Sequence, residues 1–196
     1  SRAERRKIMR RDIAVVFQDP MAALDPSATL KEQLTESIPE EFVEGRWFWQ
    51  KRRSRLDIAH SLLHKVGIKD TQYCMDHYAH ELPVDICQKF MIAMALVSQP
   101  TVLIADDPTR GMETNTKRQI LSLFKKLNKT RNLSILFVSH DLVAISSMAD
   151  TMTVLYCGQT VEDGPFQSVR KKPFHPYTKA LMDSAPSFSP DLKPKS

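Results

Sequence analysis

Two adjacent carboxylates, Asp106 and Asp107, close the apolar run Val102-Leu-Ile-Ala105 and are followed at once by Pro108. An apolar run without alternation suits a strand covered on both faces of a parallel α/β sheet. Acids at the carboxyl end of such a strand stand where open α/β sheets bind ligands. Side chains alternate along a strand, so the two acids are expected to do different work: one can hold a metal ion while the other faces a reacting water. The competing account is structural, a buried strand whose acids cap the next helix. Two further strand ends carry polar tips. Ile13-Ala-Val-Val-Phe17 runs into Gln18-Asp-Pro20, where the glutamine can reach a metal or water in the same crevice or simply turn the chain. Leu133-Ser-Ile-Leu-Phe-Val138 ends in Ser139-His-Asp141. His140 could contact a phosphate or an attacking water there, or merely precede a helix capped by Asp141.

Helices must hold these strand ends in place. Residues 28–99 read as helical: Leu30, Leu34 and Ile38 share one face, and Leu56, Ala59, Leu63 and Val66 another, before Pro39 and Gly67. A later helix over about 86–98 takes Asp85 as its N-cap and buries Ile86, Phe90, Ala93, Met94 and Val97. After Glu113 an amphipathic helix carries Ile120, Leu123, Phe124 and Leu127, then a polar loop spans 128–132. Strand, helix, strand implies a parallel sheet with right-handed crossovers, which brings His140 to the same edge as Asp107. Residues 152–164 read as a closing hairpin. The stretch Gly45-Arg-Trp-Phe-Trp-Gln-Lys-Arg-Arg53 is either an exposed contact surface or aromatics packed beneath snorkelling basic stems. His60, His64, Cys74, His77 and His80 superficially resemble metal ligands, but without a second ligand pair they read as surface histidines.

A chain of 196 residues, 42% hydrophobic and 26% charged, has the balance of one globular domain or a domain with a subdomain. No apolar run approaches the roughly 18 residues of a membrane span. Residues 2–11 are basic and helical-looking with no apolar segment after them, so no signal peptide is expected. Three scattered cysteines argue against a disulfide framework and for a reducing cytosol. The net charge of +5 is compatible with nucleic acid, anionic lipid or phosphate-rich ligands and selects none of them.

Taken in order, Val16-Phe-Gln-Asp-Pro20, Leu103-Ile-Ala-Asp-Asp-Pro-Thr109 and Val138-Ser-His-Asp141 resemble the Q-loop, Walker B and H-loop of ABC transporter ATP-binding subunits. The stretch Phe174-His-Pro-Tyr-Thr-Lys-Ala-Leu181 resembles the C-terminal extension of the dipeptide and oligopeptide importer branch. The resemblance implies an α/β fold: an incomplete RecA-like P-loop nucleotide-binding core in residues 1–27 and 100–165, an inserted helical subdomain in 28–99, and an extension in 166–196. It implies ATP and Mg²⁺ as cofactors. Gln18 and Asp106 would hold Mg²⁺, Asp107 would stand at the catalytic glutamate position, and His140 would contact the γ-phosphate. Glu113 would occupy the D-loop aspartate position, and Pro83, Val84, Asp85 and Gln88 the signature region that meets a partner's nucleotide. The implied partners are transmembrane permease subunits and a second ATP-binding subunit, with peptide only an indirect ligand and no nucleic acid. The implied place is the cytoplasmic face of the bacterial inner membrane.

Three departures from the family pattern bear on these expectations. No Gly-x-x-x-x-Gly-Lys-Ser/Thr loop occurs in the sequence, so the chain reads as a fragment or a product shortened at its N-terminus, inactive by itself. The family's Leu-Ser-Gly-Gly is here Leu82-Pro-Val-Asp85, which loses a hydroxyl, an N–H and glycine's freedom, and places a negative charge near the partner's phosphate. Asp107 is one methylene shorter than glutamate. The expected function is an ATP-binding subunit of a peptide importer, one half of an asymmetric pair. The alternatives are a catalytically impaired regulatory subunit and a soluble ABC-type ATPase acting on nucleic acid.

Overall fold

The computed structural model describes residues 12–131 and 133–184. The basic segment 2–11, Asn132 and the tail beyond 184 lie outside the described residues. The chain forms two compact units, Ser1–Val138 and Ser139–Ser196, so the boundary falls inside the segment 100–165 that the sequence assigns to a single core.

In the first unit, in chain order, come β1 (Ile13–Val16), α1 (Pro20–Ala23), α2 (Leu30–Ser37), α3 (Phe48–Lys65), α4 (Thr71–Asp76), α5 (Val84–Ala95), β2 (Val102–Asp106), α6 (Thr114–Arg131) and β3 (Ser134–Val138). The three strands form one parallel sheet in the order β1-β2-β3, with Val15, Ile104 and Leu136 in register. Parallel neighbours need crossover connections, and here the helices supply them.

Local chemistry sets the helix ends. Thr29 and Glu32 form a reciprocal capping box at α2. At the end of α3, Gly67 takes φ +86. Its N–H donates to His64 O at 3.0 Å and the Ile68 N–H donates to Leu63 O at 3.0 Å, the paired bonds of a Schellman stop. Most of the expected faces are buried: Leu30, Leu34 and Ile38 on and after α2, Ala59, Leu63 and Val66 on and after α3, and Ile120, Leu123, Phe124 and Leu127 on α6, whereas Leu56 on α3 and Ile86 and Met94 on α5 are half-buried. Helix α5 is the central piece, buried continuously from Cys87 to Ala93, as suits a helix that is apolar nearly all round.

Several expectations need correction. Helix α5 starts at Val84, with Pro83 at its N-cap making no side-chain bond, so Asp85 lies in the first turn and pairs with Lys89 at 3.7 Å instead of capping. The polar stretch after Leu127 is not a loop. Helix α6 continues to Arg131; Thr130 Oγ1 donates to Lys126 O within it, and Asn128 Nδ2 donates to Leu133 O at 2.8 Å just beyond its end. The sheet is not covered on both faces by the described residues. Leu103, Ala105 and Val16 are buried on one face, while on the other Val15, Leu136 and Val138 are exposed. The strands are apolar on both sides, yet the described helices bury only one.

The second unit contains α7 (Leu142–Met148), the antiparallel pair β4 (Thr151–Tyr156) and β5 (Gln159–Pro165), α8 (Phe166–Lys171) and α9 (Pro176–Asp183). Cys157 and Gly158, both at positive φ, make the two-residue turn between the paired Tyr156 and Gln159, the turn whose twist matches its strands. Leu142, Met152, Val154, Phe166 and Val169 form the core. Among the described residues no helix is long and apolar enough to cross a membrane.

Candidate functional site at the carboxyl edge of the sheet

Strand β2 ends on Asp106, whose side chain is exposed and whose strand partner is Val138. The next residue leaves the strand. Asp107 has φ +38, in the left-handed region that aspartate and asparagine tolerate better than most residues. Its N–H donates to Val138 O at 2.7 Å, and its carbonyl accepts from the Arg110 N–H at 3.1 Å. The first bond ties the residue to β3, and the second closes a tight turn over Pro108 and Thr109. Asp107 is 8% exposed where Asp106 is open. The two acids do occupy different environments, but the left-handed turn creates the difference rather than strand alternation. Neither acid caps the next helix, since α6 begins at Thr114. Glu113 lies just ahead of it, exposed, with its carbonyl accepting from the Lys117 N–H at 2.9 Å.

Gln18 follows β1 on the same edge. With its carboxamide turned so that the oxygen faces Arg110, Gln18 accepts from the guanidinium, from Nη1 and from Nε at 3.2 Å. Asp19 accepts from the Met21 N–H at 2.9 Å and so caps α1, fixing the chain just after Gln18. Arg110 was not among the residues singled out from the sequence. A cation three residues after paired acids on a turn was the available signal. The hydroxyl of Thr109 is buried at the same turn with no partner among the described residues.

The residues that the resemblance places in the signature region lie elsewhere, at the start of α5. Pro83 and Val84 are exposed at the start of α5, Asp85 is half-buried, and its carboxylate leans on Lys89. Gln88 is fully enclosed, and neither of its amide atoms finds a partner among the described residues. It therefore stands apart from the exposed pair at 83–84. Cys87 lies in the same helix with its thiol pushed up to about 11, chiefly by burial and secondarily by Asp85. His140 belongs to the second unit, exposed immediately ahead of Asp141, which caps α7 by accepting from the Val143 N–H at 2.9 Å. Of the histidines that superficially resemble ligands, His60 bonds Thr71 Oγ1 at 2.6 Å and His77 bonds Tyr73 O at 2.8 Å.

Comparison with known proteins bears on this edge. Residues 1–110 match the ABC transporter family, and residues 161–195 match the oligopeptide/dipeptide transporter C-terminal region. The peptide transport system ATP-binding protein SapD of Escherichia coli O6:H1 is 45% identical over 200 residues, which cover 100% of this chain and 59% of SapD. The dipeptide transport ATP-binding protein DppD of Haemophilus influenzae is 36% identical over 94% of this chain and 54% of its own length. The chain thus spans rather more than half the length of these relatives. A dimeric ATP-binding cassette in a post-hydrolysis state bound to ADP and phosphate shares the fold with a TM-score of 0.67 at 24% identity, over 84% of this chain and 67% of that one.

Proposed function

The chain belongs to the ABC transporter family, and from that premise we propose that it serves as the ATP-binding subunit of a peptide importer, coupling ATP binding and hydrolysis to transport through permease subunits. The observation that carries the reading is the unequal pair at the sheet edge, an open Asp106 beside an Asp107 enclosed in a left-handed turn. The match to the oligopeptide/dipeptide C-terminal region and the two peptide-transport relatives favour a peptide importer over the regulatory and nucleic-acid alternatives.

The donors at this edge fit Mg²⁺ in kind. Asp106 offers an exposed carboxylate and Gln18 a carboxamide oxygen, both hard oxygen ligands, and Mg²⁺ takes few protein ligands alongside water and substrate phosphates. When bound with ATP it would neutralise developing phosphate charge. Gln18 has to give up the Arg110 guanidinium to serve as a ligand, so Arg110 competes for that oxygen. Asp107 holds a carboxylate in a fixed turn, where it can orient an attacking water or accept its proton. His140 would contact the γ-phosphate, and Glu113 would lie at the D-loop contact.

Closure with a second ATP-binding subunit would bring Pro83, Val84 and Asp85 toward that partner's nucleotide, whereas Gln88, enclosed in the core, would stay out of reach. These residues offer no serine hydroxyl and no glycine N–H pair, so the function we assign is half of a heterodimer with one competent site, on the cytoplasmic face of the bacterial inner membrane. The test is ATP turnover in vesicles that hold the transporter assembled with its permease, with and without peptide. Peptide-stimulated turnover that falls in an Asp107→Asn variant is the expected result. Turnover indifferent to both peptide and that variant would reject the proposal.

A further inference from the structure

The segment that opens α3 projects three consecutive aromatic side chains from the first unit: Trp47 is 56% exposed, Phe48 79% and Trp49 65%. Large aromatics normally gain by burying area, so three left open in a row mark a contact surface. The sequence left open whether they pack beneath basic stems, and the exposures exclude that packing. The presentation is built rather than frayed. Gln50 Oε1 accepts from the N–H groups of Arg46 at 2.9 Å and Trp47 at 3.2 Å. Gly45 sits at φ +122 against Gln50, where an added Cβ would meet the Gln50 Cβ at 2.5 Å, so only glycine fits. Lys51 and Arg55 hold the helix to Glu40 at 3.6 and 2.7 Å.

With those two cations engaged, Arg46, Arg52 and Arg53 make no ion pair among the described residues. Residues 45–55 contain no acidic side chain. Exposed aromatics flanked by unpaired arginines have the composition of an interfacial anchor: rings settle at the headgroup level while cations meet anionic lipid. A single-stranded nucleic acid also stacks on aromatics. Here, however, the two indoles already stack on each other, with centroids 5.4 Å apart and planes 2° from parallel, which leaves no slot between them for a base.

We propose that Trp47, Phe48 and Trp49, with Arg46, Arg52 and Arg53, form a docking surface for an anionic lipid bilayer. The surface gives the helical part of the first unit its own hold on the membrane, separate from any contact with a permease. The assignment does not depend on nucleotide chemistry, so its failure and that of the importer reading are distinguishable.

The chain supplies its own probe, because Trp47 and Trp49 are its only tryptophans. The 196-residue chain is titrated, without nucleotide, with vesicles of phosphatidylglycerol and phosphatidylcholine mixed, with pure phosphatidylcholine vesicles, and with a single-stranded oligonucleotide. Tryptophan emission and co-sedimentation are followed together. A blue shift with sedimentation on the anionic vesicles alone is expected. Each arginine near an anionic surface is worth about fivefold in partitioning, so Arg46→Gln, Arg52→Gln and Arg53→Gln combined should weaken it roughly a hundredfold while leaving both tryptophans in place. Phe48→Ser should abolish part of the sedimentation without altering the far-ultraviolet dichroism. Equal partitioning onto both vesicle types, a response to the oligonucleotide alone, or no loss in the arginine variant would overturn the assignment.

Discussion

The turn after β2 and the turn before α5 are the two that we propose for phosphate chemistry, yet they are built in opposite ways. At the sheet edge, Asp107 is held by its own backbone: a left-handed φ, a 2.7 Å bond to Val138 and a closing bond from Arg110. Replacing its side chain leaves that frame standing. At the α5 turn, the backbone itself is what the family's glycines and serine provide, and Pro83 and Val84 remove N–H freedom and a hydroxyl together. On the proposed reading, one turn keeps its chemistry in a replaceable side chain, whereas the other lacks it in the main chain.

Restoring the second turn is the sharpest way to probe this contrast and carries the largest expected effect. Pro83→Ser, Val84→Gly and Asp85→Gly together return a hydroxyl and two mobile N–H groups. Single donors of this kind are worth about 10²–10³-fold in turnover where they meet developing charge. ATP turnover by the assembled transporter should rise, or nucleotide-driven closure should tighten, even though glycine early in a helix costs up to about 1 kcal/mol. Unchanged turnover and closure would mean the turn was never limiting.

A smaller effect is expected at the first turn. Asp106→Asn should weaken Mg²⁺-dependent nucleotide binding on the order of 10–100-fold, read by titrating the assembled transporter with nucleotide in Mg²⁺ and in a chelator. Loss of the Mg²⁺ dependence supports the assignment of Asp106. An unaltered dependence would move the metal elsewhere.

The chain by itself should bind Mg-ATP no more tightly than millimolar, because its sequence contains no Gly-x-x-x-x-Gly-Lys-Ser/Thr cradle for the phosphates. Calorimetry on the 196-residue chain would detect low-micromolar binding if the edge sufficed alone.

The smallest effect concerns thiols. Burial pushes Cys74 up to about 12 and Cys87 up to about 11, while Cys157 is exposed at its hairpin turn. A raised thiol pKa leaves little thiolate below it, about one part in a thousand for Cys87 at pH 8. One thiol should therefore label quickly at pH 8 and two slowly. Rapid labelling of Cys87 would mean that the start of α5 opens.

Much of this was legible in the sequence because it rests on periodicity and short motifs. Leu30, Leu34 and Ile38 share a face by spacing alone, and the strand ends at Gln18, Asp106 and His140 follow from apolar runs meeting polar tips. What escaped depends on three-dimensional detail. Asp85 looked like a cap because nothing in a one-dimensional pattern shows that a helix can start two residues earlier on a valine and spend its acid on Lys89. The left-handed turn at Asp107 and the hold of Arg110 on Gln18 require knowing that residues 18 and 110 meet across two strands. The exposed aromatics of α3 could not be told from buried ones, because burial depends on what else packs there.

The central claim is that Asp107 acts in turnover from a backbone frame that does not need its carboxylate. The direct measurement is ATP turnover, nucleotide affinity and thermal midpoint for Asp107→Asn and Asp107→Glu side by side in the assembled transporter. Asparagine tolerates the left-handed φ of +38, so Asp107→Asn should keep the thermal midpoint and affinity while turnover falls by about 10–10³-fold, part of the 10²–10⁴-fold that a well-placed base contributes. Asp107→Glu should raise turnover at a cost of about 1 kcal/mol in stability, since a longer side chain sits less readily in that region. Unchanged turnover in both variants, with stability lost in the asparagine form, would contradict the account.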